Sequence, residues 1–163
     1  MHANSSSLKL PQALPGAQAV QGCTHFRLRQ ISRVVGQHYD AELAAVGLKT
    51  TQYSLLSHVL RLGPLRLGEL ARAMRMDAST LTRNLKPVLD AGWLQLEPGA
   101  DKRSRQVQIT ASGRAKRNQA QRHWKAAQTR LNQSLGLERI QALHRLLDEC
   151  LQLFPPPGEV HAV

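Results

Sequence analysis

The stretch from Leu67 to Thr110 most constrains the fold, because its apolar spacing changes from helical to alternating within one short span. Leu67, Leu70, Ala71 and Met74 recur at helical spacing, so Leu67 to Met74 reads as a short amphipathic helix. Arg75-Met76 makes a turn. Asp77 or Ser79 can cap a second helix, since a short side-chain oxygen accepts from the unpaired N–H groups of a first turn. That helix runs from Ala78 to about Ala91 and turns Leu81, Leu85, Val88 and Leu89 inward. Ser79, Thr80, Thr82, Arg83, Asn84 and Lys86 face outward, and Gly92 ends the helix.

Trp93 to Glu97 alternates apolar and polar residues as a half-buried strand does. Pro98-Gly99-Ala100-Asp101 is turn chemistry, Lys102-Arg103-Ser104-Arg105 is a dense basic run, and Gln106 to Thr110 alternates again. A helix, a turn and a helix, then a two-stranded hairpin with a basic tip, describe a winged helix-turn-helix. That arrangement reads duplex DNA.

The remaining chain is helical. Leu28, Ile31, Val35, Tyr39 and Leu43 form one stripe on a helix from about Thr24 to Val46, stopped by Gly47. Leu55, Leu56, Val59 and Leu60 mark a second helix, Thr51 to Leu62, ended by Gly63-Pro64. After the central stretch, a helix from about Ser112 to Leu135 carries Arg114, Lys116, Arg117, Arg122 and Lys125 in its first half and no acid. A last helix, Leu137 to about Phe154, presents Ile140, Leu143, Leu146, Leu147 and Leu151 on one face, with Cys150 expected in the core on that stripe. The fold class is therefore mostly α with a small β-hairpin wing, joined to a helical dimerisation lobe.

The expected organisation is a flexible arm over residues 1–20 and a dimerisation helix over 21–50. A DNA-binding unit over 51–113, dimerisation helices over 114–154 and a flexible tail over 155–163 follow. The terminal helices have apolar stripes with nothing local to cover them, and a two-fold protein matches a palindromic site, so a homodimer is expected.

Charge supports the same reading. The chain has 22 basic residues against 11 acidic, a net +11, which fits a polyanionic partner. Its aromatic content of 4% leaves the core to Leu, Val, Ile and Ala. No apolar run approaches the roughly 20 residues that span a bilayer, and the N-terminus lacks an apolar signal core, so a cytoplasmic protein without a membrane partner is expected. Phosphate-loop, HExxH and nucleophile-elbow signatures are missing, and Cys and His residues lack metal-site spacing. The chain reads as a non-enzyme with no cofactor and no metal.

Three stretches resemble the MarR family of bacterial transcriptional regulators. The first runs from Leu28-Arg29 through Ser32-Arg33, Tyr39-Asp40 and Gly47-Leu48 to Gln52-Tyr53-Ser54-Leu55-Leu56. The second includes Gly63-Pro64-Leu65, Glu69-Leu70-Ala71, Ser79-Thr80-Leu81-Thr82-Arg83 and Gly92-Trp93. The third is the wing, Asp101-Lys102-Arg103-Ser104-Arg105 with Ile109-Thr110 and Gly113. Pro87, inside the second helix of the motif, departs from the pattern; an interior Pro costs about 3 kcal/mol relative to Ala.

The resemblance implies a homodimer that binds a pseudo-palindromic operator, usually as a repressor, and releases it on binding a small aromatic or anionic effector. Ser79, Thr80, Thr82, Arg83, Asn84 and Lys86 would enter the major groove. There Arg donates bidentately to guanine and Asn pairs with adenine. Arg103 looks like the family's wing-tip arginine in the minor groove, held by Asp101, with Lys102 and Arg105 on phosphates. Arg66, Arg72 and Arg75 are further phosphate candidates or plain exposed cations. His25, Arg29, Arg33, Tyr39, Tyr53 and His58 come from helices that line the family's ligand cleft, and Trp124 could stack there. Cys23 stands where oxidant-sensing members keep a reactive cysteine, so a thiol-based repressor is one alternative. A nonspecific architectural DNA binder is the other. Arg83 and Asn84 argue against it, because a nonspecific binder needs only cations.

Overall fold

The computed structural model describes residues 21–99 and 104–154. The elements in order are α1 (Thr24–Leu43), a 3₁₀ turn (Ala44–Val46), α2 (Thr50–Leu62), β1 (Leu65–Arg66), α3 (Leu67–Ala73), α4 (Ala78–Asp90), β2 (Leu94–Pro98), β3 (Arg105–Ile109), α5 (Ala111–Leu135) and α6 (Leu137–Leu153). The expected helices all form, with ends shifted by one to three residues. The expected arm and tail lie outside the described residues.

The central module forms for local reasons. In α3, the Glu69 side chain accepts from the Arg66 N–H at 2.7 Å and closes the N-terminus. In α4, Asp77 caps by accepting from the Thr80 N–H at 2.8 Å. Gly92 takes a left-handed backbone, φ 67°, which turns the chain from α4 into β2 without a Cβ penalty. Along β2 and β3 the alternation buries Leu94 and Val107.

The sheet corrects the expected two-stranded hairpin. It has three antiparallel strands in the order β1-β3-β2. Leu65 pairs with Val107 and Arg66 with Gln106, while β2 pairs with β3 from Leu94↔Ile109 to Pro98↔Arg105. A strand of two residues is too short to show an alternating period, so only tertiary pairing reveals it.

One core joins the pieces. Leu55, Leu56 and Val59 of α2, Leu70 of α3, Leu81, Leu85 and Val88 of α4, and Val107 pack with Leu43, Val46 and Leu48 from the first segment and Ala120 of α5. Full burial of one such aliphatic side chain is worth about 1.5–3 kcal/mol. Asp40 ties α1 to the start of α2, since its Oδ1 accepts from the Thr50 N–H at 2.6 Å and from the Thr50 hydroxyl at 2.7 Å.

The ends of the stripes are uncovered in the single chain. Leu28 and Ile31 of α1 are 50% and 46% exposed, and Leu143, Leu146, Leu147 and Leu151 of α6 are open as well. Cys150, expected in the core, is exposed. The reason is that Ile140 is the only buried residue of α6, so its later turns meet solvent. No helix among the described residues is long and apolar enough to cross a membrane.

Candidate nucleic-acid interface and effector cleft

Helix α4 presents its polar face outward. Ser79, Thr82, Arg83 and Lys86 are exposed, and Thr80 and Asn84 are half-buried. Both Asp77 oxygens are engaged: the Ser79 hydroxyl donates to Oδ1 at 2.6 Å and the Thr80 hydroxyl to Oδ2 at 2.7 Å. These bonds, with the Thr80 backbone N–H, hold the Asp77 carboxyl well below the usual carboxylate range. Arg83 Nη2 donates to Thr80 Oγ1 at 3.3 Å, which leaves the rest of its guanidinium fork outward. Lys86 Nζ is 2.8 Å from Asp90 Oδ2 in an exposed pair one helical turn apart, too solvated to hold it against a phosphate.

Asn84 departs from a bidentate adenine pose. Its Nδ2 lies 3.7 Å from Met76 Sδ, behind the outward face. Pro87 is accommodated inside α4, which runs unbroken from Ala78 to Asp90. The ring removes one N–H, so the Arg83 carbonyl loses its helical donor, and water can supply the replacement because both residues are exposed.

The wing strands flank this face, with Arg105 exposed on β3. Asp101, Lys102 and Arg103 lie outside the described residues. Arg66 and Arg72 are exposed near the same module. Arg75, in the turn before α4 with φ 50°, donates instead to the Phe154 carbonyl at 2.8 Å.

A second site lies between α2 and α5. It is a cleft of about 580 Å³ lined by Tyr53, Ser54, Ser57, His58, Leu60, Arg61, Arg117, Gln121 and Trp124. Tyr53 and Trp124 stack, with ring centroids 6.0 Å apart and planes 21° from parallel. The Arg117 guanidinium sits 5.8 Å above the Tyr53 ring, and its Nε donates to Ser57 Oγ at 3.3 Å. The Tyr53 hydroxyl donates to Gln121 Oε1 at 3.0 Å. His58 Nδ1 is 2.8 Å from the Ser54 carbonyl, which can only accept, so that nitrogen carries a proton. Two arginines and an aromatic wall with no lining carboxylate suit an anionic aromatic molecule.

The six residues expected around an effector do not converge. Tyr53 and His58 line this cleft. Tyr39 lines a separate apolar groove of about 410 Å³ between α1, α5 and α6. Its hydroxyl donates to Gln128 Oε1 at 2.5 Å, and burial pushes its ionisation upward. His25, Arg29 and Arg33 are exposed on α1 and line neither cavity. Arg61, Arg117 and Gln121 were missed. The acid-free basic half of α5 was the available signal, but its partner Tyr53 lies 64 residues away in the chain. Cys23 is exposed just before the first residue of α1.

Comparison with known proteins places this geometry. The model of the MarR family matches residues 46–104. The chain is 29% identical over 90 residues to the HTH-type transcriptional regulator YwoH of Bacillus subtilis strain 168. That match covers 55% of this chain and 66% of the relative, just under two thirds. The transcriptional regulator MosR of M. tuberculosis, solved in complex with DNA, is 30% identical with a TM-score of 0.66, covering 79% of this chain and 98% of that one. The apo form of MarR from E. coli is 20% identical with a TM-score of 0.64, covering 80% and 98%; at that identity it shows the shared fold.

Proposed function

This chain belongs to the MarR family of DNA-binding transcriptional regulators, and from that membership we propose that it is a cytoplasmic homodimeric repressor of a pseudo-palindromic operator. A small aromatic anion entering the α2–α5 cleft releases it. The observation that carries the reading is α4 itself: a capped helix, seated on the core by Leu81, Leu85 and Val88, that holds Ser79, Thr82, Arg83 and Lys86 out to solvent beside the wing strands. Such an end enters the major groove. Arg103, Lys102 and Arg105 complete the contact from the wing, with Asp101 holding Arg103.

The occupant proposed for the uncovered stripes of α1 and α6 is a second copy of this chain. Two copies present two reading helices, as a two-fold site requires. In functional terms, residues 21–50 and 114–154 serve the dimer and 51–113 the DNA.

The effector proposal rests on the cleft. Tyr53 and Trp124 offer apolar faces, and Arg61 and Arg117 offer charge. Arg117 bonds across to Ser57 of α2, so a carboxylate that draws Arg117 away disturbs the α2–α5 contact from which the reading module hangs. The test is fluorescence anisotropy with duplexes selected from a randomised pool, followed by titration with aromatic acids. Selection of a palindromic sequence, bound by two chains and released by an acid, supports the reading. Equal binding to every duplex overturns it in favour of an architectural binder.

A further inference from the structure

The leading turn of α4 keeps its hydroxyl protons within the chain. Ser79 and Thr80 each donate to a different oxygen of Asp77, at 2.6 and 2.7 Å, and the Thr82 hydroxyl donates to the Ala78 carbonyl at 2.8 Å. A hydroxyl has one proton and two lone pairs, so each of the three has only lone pairs left to offer. The two bonds to Asp77 are charge-assisted and short, hence harder to exchange than neutral ones. Thr80 already accepts from Arg83, whereas Ser79 is exposed and accepts from no donor among the described residues.

We infer that Asp77 is a positioning residue for base choice: by holding the Ser79 and Thr80 protons, it makes these side chains acceptors that select the amino edge of cytosine or adenine. This rests on the reading that α4 enters the groove, as the second helix of a helix-turn-helix does. In the major groove, cytosine N4 and adenine N6 are donors, while guanine O6 and N7 and thymine O4 are acceptors. Each base pair carries one such amino group, and its place across the groove differs with the pair. A fixed acceptor therefore favours the pair that brings an amino group to it and opposes the pair that brings a lone pair. Arg83 supplies the complementary donor from the same face.

The test uses the full chain and duplexes selected from a randomised pool. Asn is as good a cap as Asp, but once its one carbonyl oxygen accepts the Thr80 N–H it has a single lone pair left, so it cannot hold both hydroxyl protons as well. Asp77→Asn is expected to keep the cap and the fold, with a somewhat lower melting temperature because the charge-assisted bonds are lost. Its preference at one base pair in each half-site should fall by roughly tenfold. A second experiment replaces the selected cytosine by 2-pyrimidinone, or the selected adenine by purine, each lacking the exocyclic amino group. Wild-type affinity should drop by roughly tenfold, with no further drop in Ser79→Ala. If Asp77→Asn fails to fold, this second experiment decides alone.

An even loss of affinity for all sequences in Asp77→Asn overturns the inference, because that is what a cap alone would do. Wild-type binding that ignores removal of every amino group overturns it too. Failure to enrich any sequence overturns the regulator reading itself, which is distinct from a successful selection that is blind to Asp77.

Discussion

The Thr110 hydroxyl donates to the Gly92 carbonyl at 2.8 Å, linking the end of α4 to the start of α5. The same oxygen accepts from the Gly113 N–H at 3.0 Å and so caps α5, while the Thr110 N–H donates to the Trp93 carbonyl at 3.1 Å. A side-chain knot thus sets α4, β2, β3 and α5 relative to one another.

Gly113 has no room for a side chain there. A Cβ would collide with the Trp93 carbonyl and press on Ile109 Cγ1 at 3.0 Å. Gly113→Ala is expected to destabilise the fold by about 1–3 kcal/mol, the usual cost of overpacking. Chemical denaturation measures it. Wild-type stability would mean that the α5 start shifts freely.

Arg83→Ala should lower the preference for the selected site over scrambled duplex by roughly 5- to 150-fold, the equivalent of about 1–3 kcal/mol. Wild-type affinity should also fall steeply with salt, since several phosphates are neutralised. A flat salt response, or undiminished discrimination in the variant, counts against the groove contact.

Arg117→Met removes the cation above Tyr53 while keeping an unbranched apolar stem. Expected are retained DNA binding and a lost response to aromatic acids. Calorimetry on the DNA-free protein reports the binding, and anisotropy reports the release. Release at the wild-type acid concentration would move the effector out of this cleft.

Leu147→Glu places a charge in the uncovered row of α6, where the residue is 39% exposed in the single chain and outside the buried core. The variant should fold, sediment as a single chain and lose high-affinity DNA binding, because burying an unpaired carboxylate between copies is costly. A variant that still sediments as a dimer would assign the interface to another face.

Cys23→Ser separates ligand control from thiol control. Induction by an aromatic acid should persist in this variant, and an oxidant should not release wild-type protein from DNA. Loss of induction on replacing this exposed cysteine favours oxidation sensing.

Much of the fold is legible in the chain because it is made by near neighbours. The Leu67–Met74 and Leu81–Val88 spacings, Asp77 as a cap and Gly92 as a stop each act over one or two turns, and the structure repeats them. Two-residue β1 was hidden, because Leu65 becomes strand only when Val107 arrives beside it. Cys150 is exposed for the converse reason: an apolar stripe states that a face seeks cover, not where the cover comes from.

The sequence by itself determined the helices, the turn chemistry and the polar identity of the outer face of α4, since period, capping and charge are written in adjacent residues. Tertiary structure alone decided which distant groups meet. It brought Arg117 over Tyr53 and Trp124 beside it, left Arg29 and Arg33 outside that cleft, and turned the Asn84 amide toward Met76. Side chains on separate helices share no spacing rule; their meeting depends on how the buried faces pack, which only the folded chain resolves.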